Sequence, residues 1–203
     1  MKTVRHILFS SFLLLLTAPA TATDLASLTE ICDSCHGVDG ASQWSDMPTV
    51  AGIDEFVQSE ALLAYQDDAR PCATSEFRSG DTSQPATDMC AIARDLGDDD
   101  IEAISAHYAA LPFVAAAQEF DADLAAAGKA LHDSKCALCH TDGGSNPADE
   151  ASILAGQWAG YLQRSFTEYR SGERDQPPMM QMLLDQLSDD DVLALVNYYA
   201  SQQ

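Results

Sequence analysis

Apolar positions recur at helical spacing along most of the chain. Leu25, Leu28, Ile31, Cys32 and Cys35 fall three or four residues apart, and Leu124, Ala127, Leu131, Lys135 and Cys139 trace a comparable path further on. Each run predicts a helix whose C-terminal end carries a cysteine motif. A second helix is predicted over about Phe56 to Asp68, with a counterpart over Tyr161 to Tyr169. A third opens on acidic residues at the positive end of the helix dipole, Asp98 to Asp100 in one place and Ser188 with Asp191 in the other. Its buried stripe is Ile101, Ile104 and Tyr108, matched by Val192, Leu195 and Tyr199. No stretch sustains a period of two, so the expected fold class is all-α with little or no sheet.

The elements come in pairs because the chain is one unit written twice. Cys32-Asp33-Ser34-Cys35-His36 returns as Cys136-Ala137-Leu138-Cys139-His140 at an offset of 104 residues. The same offset lays Gly40 on Gly144, Ala51-Gly52 on Ala155-Gly156, Tyr65 on Tyr169 and Arg70 on Arg174. Further on the offset is 91, which lays Met89 on Met180, Leu96 on Leu187 and Tyr108 on Tyr199. The first copy therefore carries the difference, 13 extra residues, between Arg70 and Met89. Two copies imply two homologous domains rather than a solenoid, which needs three or more stacked units. The Ala-rich stretch from Pro112 to about Asp121 links them, so domains are expected at residues 23–114 and 115–203.

Residues 1–22 read as a cleaved export signal. Lys2, Arg5 and His6 precede the mostly apolar run Ile7 to Leu16, and Ala20-Thr21-Ala22 supplies the small-x-small cleavage site. The run is well short of the roughly 20 apolar residues that a membrane-spanning helix needs, and no transmembrane segment is expected in the mature chain. Export places the protein in the periplasm and all six cysteines where disulfides persist. The chain has 10 basic against 32 acidic side chains in 203 residues, a formal charge of −22. That argues against a nucleic-acid partner, because a phosphate backbone needs lysine and arginine to neutralise it. The acids are spread over both copies, so they read as a solvated, salt-tolerant surface before they read as a docking face, and any charged partner should be basic.

Cys-x-x-Cys-His is the attachment signature of c-type heme. Two thiols one helical turn apart meet the two vinyl groups, and the adjacent histidine becomes an iron ligand. Two such motifs in register predict two covalently bound hemes, at Cys32 and Cys35 and at Cys136 and Cys139, with His36 and His140 on the irons. The competing readings are a four-cysteine zinc site and a pair of thioredoxin-like redox motifs. Neither requires a histidine after both cysteine pairs and a repeated methionine downstream. Of Met47, Met89, Met179, Met180 and Met182, the register selects Met89 and Met180 as the second axial ligands, with Met179 as the rival of Met180. Thioether opposite imidazole fills the coordination sphere and raises the potential, which suits electron transfer better than substrate binding.

Cys72 and Cys90 have no counterpart in the second copy, and they bracket the insertion. A disulfide between them closes that loop and holds Met89 in place; free thiols or a sulfur ligand are the alternatives. His107 and His132 read as surface or packing residues, and Trp44 and Trp158 as aromatics at a domain contact.

With these positions placed, the mature chain resembles the two-heme c4 cytochromes and their relative, the cytochrome subunit of flavocytochrome c sulfide dehydrogenase. The likeness to the subunit rests on the second half, on Leu131-His132-Asp133, Cys136 to His140, Ile153 to Trp158 with Tyr161-Leu162, and the ending Tyr199 to Gln203. Arg170 to Arg174 and Leu187-Ser188-Asp189 resemble the free c4 cytochromes instead. The resemblance implies two tandem class I cytochrome c domains related by a pseudo-twofold axis, with hemes near their interface. It implies a non-catalytic role, taking electrons from a sulfide-oxidising flavoprotein subunit. The alternatives are a free carrier feeding a terminal oxidase or reductase, and a heme enzyme acting on thiosulfate or peroxide.

Overall fold

A computed structural model describes residues 24–203, so the export signal lies outside the described residues. Eight α-helices follow one another in two sets of four. The first set is α1 (Leu25–His36), α2 (Glu55–Gln66), α3 (Met89–Arg94) and α4 (Asp98–Ala109). The second is α5 (Ala122–Leu131), α6 (Ala159–Ser171), α7 (Pro178–Leu184) and α8 (Asp189–Ala200). Among the described residues there is no strand, only an isolated bridge between Ser75 and Thr87. No helix among them is long and apolar enough to cross a membrane.

Local chemistry starts the helices where the acidic residues stand. The Asp54 carboxylate accepts from Phe56 N and Val57 N at the start of α2, and Asp121 does the same for Asp123 N and Leu124 N at the start of α5. Ser188 and Asp191 form a reciprocal capping box on α8. Two helices escaped the periodicity. With six and seven residues, α3 and α7 are too short to display a helical repeat. They are set by caps instead, Asp88 accepting from Ala91 N, and Pro178 at the first position of α7.

The path expected through Leu124, Ala127, Leu131, Lys135 and Cys139 is not one continuous helix. Past α5 the chain widens into a π-helical turn over His132–Cys136, with Ala137 N donating to His132 O at 3.0 Å. The face turned inward is Ala125, Gly128 and His132, whereas Leu124 and Leu131 are half-buried and Ala127 is exposed. The cause is the close crossing of α5 with α8. A Cβ on Gly128 would collide with the Ala194 carbonyl, so the crossing takes glycine and the larger apolar residues flank it.

The halves meet through buried polar groups. Gln157 Nε2 donates to Thr49 O at 2.6 Å, and Thr49 N donates to Gln157 Oε1 at 3.0 Å. Both residues are 1% exposed. Trp158 Nε1 donates to Ser42 O at 3.0 Å, and Tyr161 N to Ser45 O at 2.9 Å. Gln157→Leu strands a buried N–H and a buried C=O on Thr49, so the urea unfolding midpoint is expected to fall by the equivalent of about 3 kcal/mol. A midpoint that stays in place would show that this bridge does not hold the halves.

Candidate heme attachment sites

In the first half the whole motif lies on the last turn of α1. Cys32 is half-buried, and Cys35 and His36 are 8% and 7% exposed. None of the four motif cysteines is joined in a disulfide. Burial pushes the Cys32 thiol up to about 11 and raises Cys136 as well, so both stay protonated at neutral pH. Among the described residues the one metal-ligand grouping is Cys72, Asp88 and Cys90, and its two cysteines are already joined to each other as a disulfide, Cα to Cα 5.8 Å. The structure does not bring the two cysteine motifs together.

His36 is oriented by its own chain. Its Nδ1 lies 3.0 Å from the Pro48 carbonyl, which makes Nδ1 the protonated nitrogen and leaves the Nε2 lone pair for a metal. Burial holds its pKa below the usual histidine range, so the ring is neutral at pH 7. His140 faces the backbone of Ser152, the residue in register with Pro48, and burial first, then the neighbouring His132, lowers it too. The loops that bring these carbonyls round are alike: Val50 N and Ala51 N both donate to Gly40 O, as Leu154 N and Ala155 N do to Gly144 O. Gly40 stands at φ 72°, and a Cβ there would press on the Tyr108 ring and Val50, so the turn requires glycine.

Met89 opens α3 beside the buried Cys90 and is itself half-buried. On α7, Met180 packs against the cluster of Leu162, Leu195 and Tyr199. Its neighbours Met179 and Met182 are 57% and 55% exposed. His107 is half-buried, edge-on to Tyr108. His132 is a packing residue, 1% exposed, with Nδ1 3.1 Å from the Tyr199 hydroxyl. In the first half the matching Tyr108 hydroxyl donates instead to Asp33 Oδ1 at 2.7 Å. Ala137 stands in register with Asp33, so the second tyrosine has no carboxylate there and pairs with the histidine.

Sequence reasoning recorded the register of Arg70 with Arg174 and of Tyr65 with Tyr169 but drew no chemistry from it. The structure places the Arg70 guanidinium 4.6 Å from the Tyr65 ring centroid and that of Arg174 4.3 Å from Tyr169. Arg70 Nη2 also donates across the halves to the Tyr161 hydroxyl at 3.2 Å. Burial works to raise the Tyr161 phenol, but the charges of Arg70 and Arg174 overcome it and bring it down to about 7. Arg70 Nε is buried without a hydrogen-bond partner. A buried, orphaned donor on this half-buried cation calls for an anionic oxygen, and the propionates of a heme are carboxylates of that kind. The apolar surroundings fit as well: the buried cluster of the first half is Leu28, Ile104 and Tyr108, with Cys32, Val50, Leu62, Leu96 and Leu111 only partly covered around it. That is a small core for half a chain, and a large apolar group set among these side chains would enlarge it.

Paired cysteines followed at once by a neutral histidine, twice on a helical scaffold, are what the attachment of c-type heme requires. Comparison with known proteins narrows the class. Residues 125–203 match the cytochrome c family. The chain is 30% identical over 182 residues to the thiosulfate dehydrogenase electron acceptor of Stutzerimonas stutzeri, covering 84% of this chain and 78% of that one. It is 27% identical over 180 residues to cytochrome c4 of Pseudomonas aeruginosa, covering 83% and 82%. The crystal structure of reduced recombinant cytochrome c4 from Pseudomonas stutzeri superposes with a TM-score of 0.70 at 25% identity, over 90% of this chain and 100% of that one. The chain belongs to the cytochrome c4-like cytochromes c, electron-transfer proteins with covalently bound heme c.

Proposed function

We propose that this chain is a periplasmic diheme carrier that accepts electrons from a thiosulfate-oxidising dehydrogenase, with domains at residues 23–114 and 115–203. The observation that carries the diheme reading is the register of the two sites. Each has a thiol pair, a histidine turned by a backbone carbonyl, and a half-buried methionine, Met89 or Met180. A bound heme c supplies a one-electron iron couple. The chain does the rest. His36 and His140 would offer Nε2, Met89 and Met180 thioether sulfur and Arg70 a donor for a carboxylate, while the Gln157–Thr49 bridge keeps the halves in contact. An iron given both a histidine nitrogen and a methionine sulfur would keep no open position for a substrate, which supports a carrier over a heme enzyme.

The partner is supported by the relative named as a thiosulfate dehydrogenase electron acceptor, matched over most of both chains. The sulfide-oxidising flavoprotein suggested by the second-half residues finds no support among these relatives. The c4 cytochromes among them keep the free carrier feeding a terminal oxidase or reductase as the second reading. Mixed with thiosulfate and a catalytic amount of thiosulfate dehydrogenase, the oxidised protein is expected to pass to its reduced spectrum. If it stays oxidised there but delivers electrons to a terminal oxidase, the free-carrier reading replaces this one; copurification with a yellow flavoprotein would restore the sulfide reading.

A further inference from the structure

The two attachment motifs are in register but differently covered. Ser34, Cys35 and His36 are 7%, 8% and 7% exposed. Their counterparts are open: Leu138 is 82% exposed, Cys139 is exposed and His140 is half-buried. The difference traces to the insertion that the first copy alone carries. Its base is closed by the Cys72–Cys90 disulfide and by the Ser75–Thr87 pair, which exchanges hydrogen bonds of 2.7 and 2.9 Å. From there it crosses the C-terminal end of α1. Arg78 N and Ser79 N donate to Ser34 O at 2.9 and 3.0 Å, and Ser79 Oγ reaches Asp33 O at 3.3 Å. These carbonyls belong to the last turn of a helix, where chain ends otherwise turn to water. The Cys35 sulfur lies 3.8 Å from Glu76 O. The tip is fastened on the far side, where the Arg78 guanidinium forks onto both Asp46 oxygens at 2.6 Å and lies 5.5 Å from the Trp44 ring centroid.

We propose that residues 71–88 are a cover that seals the first attachment site, leaving the second, around Leu138 and Cys139, as the edge where an external redox protein exchanges electrons. The inference rests on heme being held at both motifs. A heme attached at Cys35 would be tied there by the rim of its porphyrin, so the segment against that sulfur would stand over that part of the rim. Electron transfer between proteins weakens steeply with the gap between cofactor edges. A layer of backbone over Cys35 would widen the gap on one side, and among the described residues nothing comparable stands over the exposed Cys139. A reduced partner would therefore meet the second site, at Leu138 and Cys139, before the first, whose motif lies behind the cover. Less contact with water also favours the less charged, ferrous state of the first site and sets its potential above that of an otherwise equal open one.

The test uses the oxidised holoprotein and a neutral, soluble gadolinium chelate, which broadens heme methyl NMR signals according to their access to solvent. One set of signals is expected to broaden several-fold more than the other, and to be the set that disappears in Cys136→Ala/Cys139→Ala. Replacing residues 76–86 by Asn-Gly, a two-residue turn suited to the Ser75–Thr87 pair, is expected to bring the protected set to within about twofold of the open one. Should that variant fail to mature, Arg78→Ala frees the tip without touching the motif and is expected to shift the protected set in the same direction. Equal broadening in the native protein, or a protected set that neither variant exposes, overturns the cover. A colourless protein overturns the heme reading beneath it, so the two failures are distinguishable.

Discussion

Replacing Cys136 and Cys139 together by alanine is expected to halve the covalently bound heme per chain, measured as pyridine hemochrome against protein. In the proposed arrangement these two cysteines attach the second heme, and the first motif lies on α1, in the other half of the chain. Cys136 also packs against the cluster of Leu162, Leu195 and Tyr199, so the loss reaches the core of the second half. The α5–α8 crossing at Gly128 does not depend on these sulfurs, and helix content is expected to fall less than heme content. Cys32→Ala/Cys35→Ala is expected to give the complementary half. Complete loss of heme on removing one pair alone would mean that a single motif is loaded, and unchanged heme would remove the assignment of the pair.

The second large effect is at the iron. Met180→Ala is expected to abolish half of the sulfur-to-iron absorption of the oxidised protein and to lower one of the two potentials by on the order of 0.1 V, a modest part of the range that axial ligation commands. Met179→Ala is expected to change neither quantity. The sequence leaves these neighbours as rivals, but Met180 packs against the core while Met179 is 57% exposed to water. A ligand has to be held, because a thioether on a flexible chain loses conformational freedom each time it binds. Met89→Ala is expected to remove the other half of the band. If Met179→Ala rather than Met180→Ala removed it, the register used to align the two copies would be off by one residue at α7.

Much of this was legible in the residues. The cysteine pairs and the histidines stand out because attachment chemistry demands fixed spacing, and the repeat puts Met89 and Met180 in register as the proposed ligands. The long helices followed from acidic caps and buried stripes, since a helix of twelve residues has room to show its period. Helices α3 and α7 had no such room. The break after Leu131 was hidden for a different reason: the apolar spacing continues through it, and only the close approach of α8 selects Gly128 and His132 for the inner face.

The histidine roles divide along the same line. His36 and His140 follow from adjacency to cysteine, whereas burial of His132 against the Tyr199 hydroxyl, sixty-seven residues further along the chain, depends on Ala137 standing where the first half has Asp33. Arg70 was visible as a repeated letter. Its unpartnered Nε became meaningful only once Tyr161, from the other half, was seen beside it.

By itself, then, the order of residues determined the cofactor chemistry, the doubling of the unit and the helical class, because these depend on covalent spacing and on periods along one chain. Tertiary structure decided which methionine is held, where the halves lock together and which attachment site is covered. Those outcomes depend on distance between segments far apart in sequence, and local propensity carries no information about that distance.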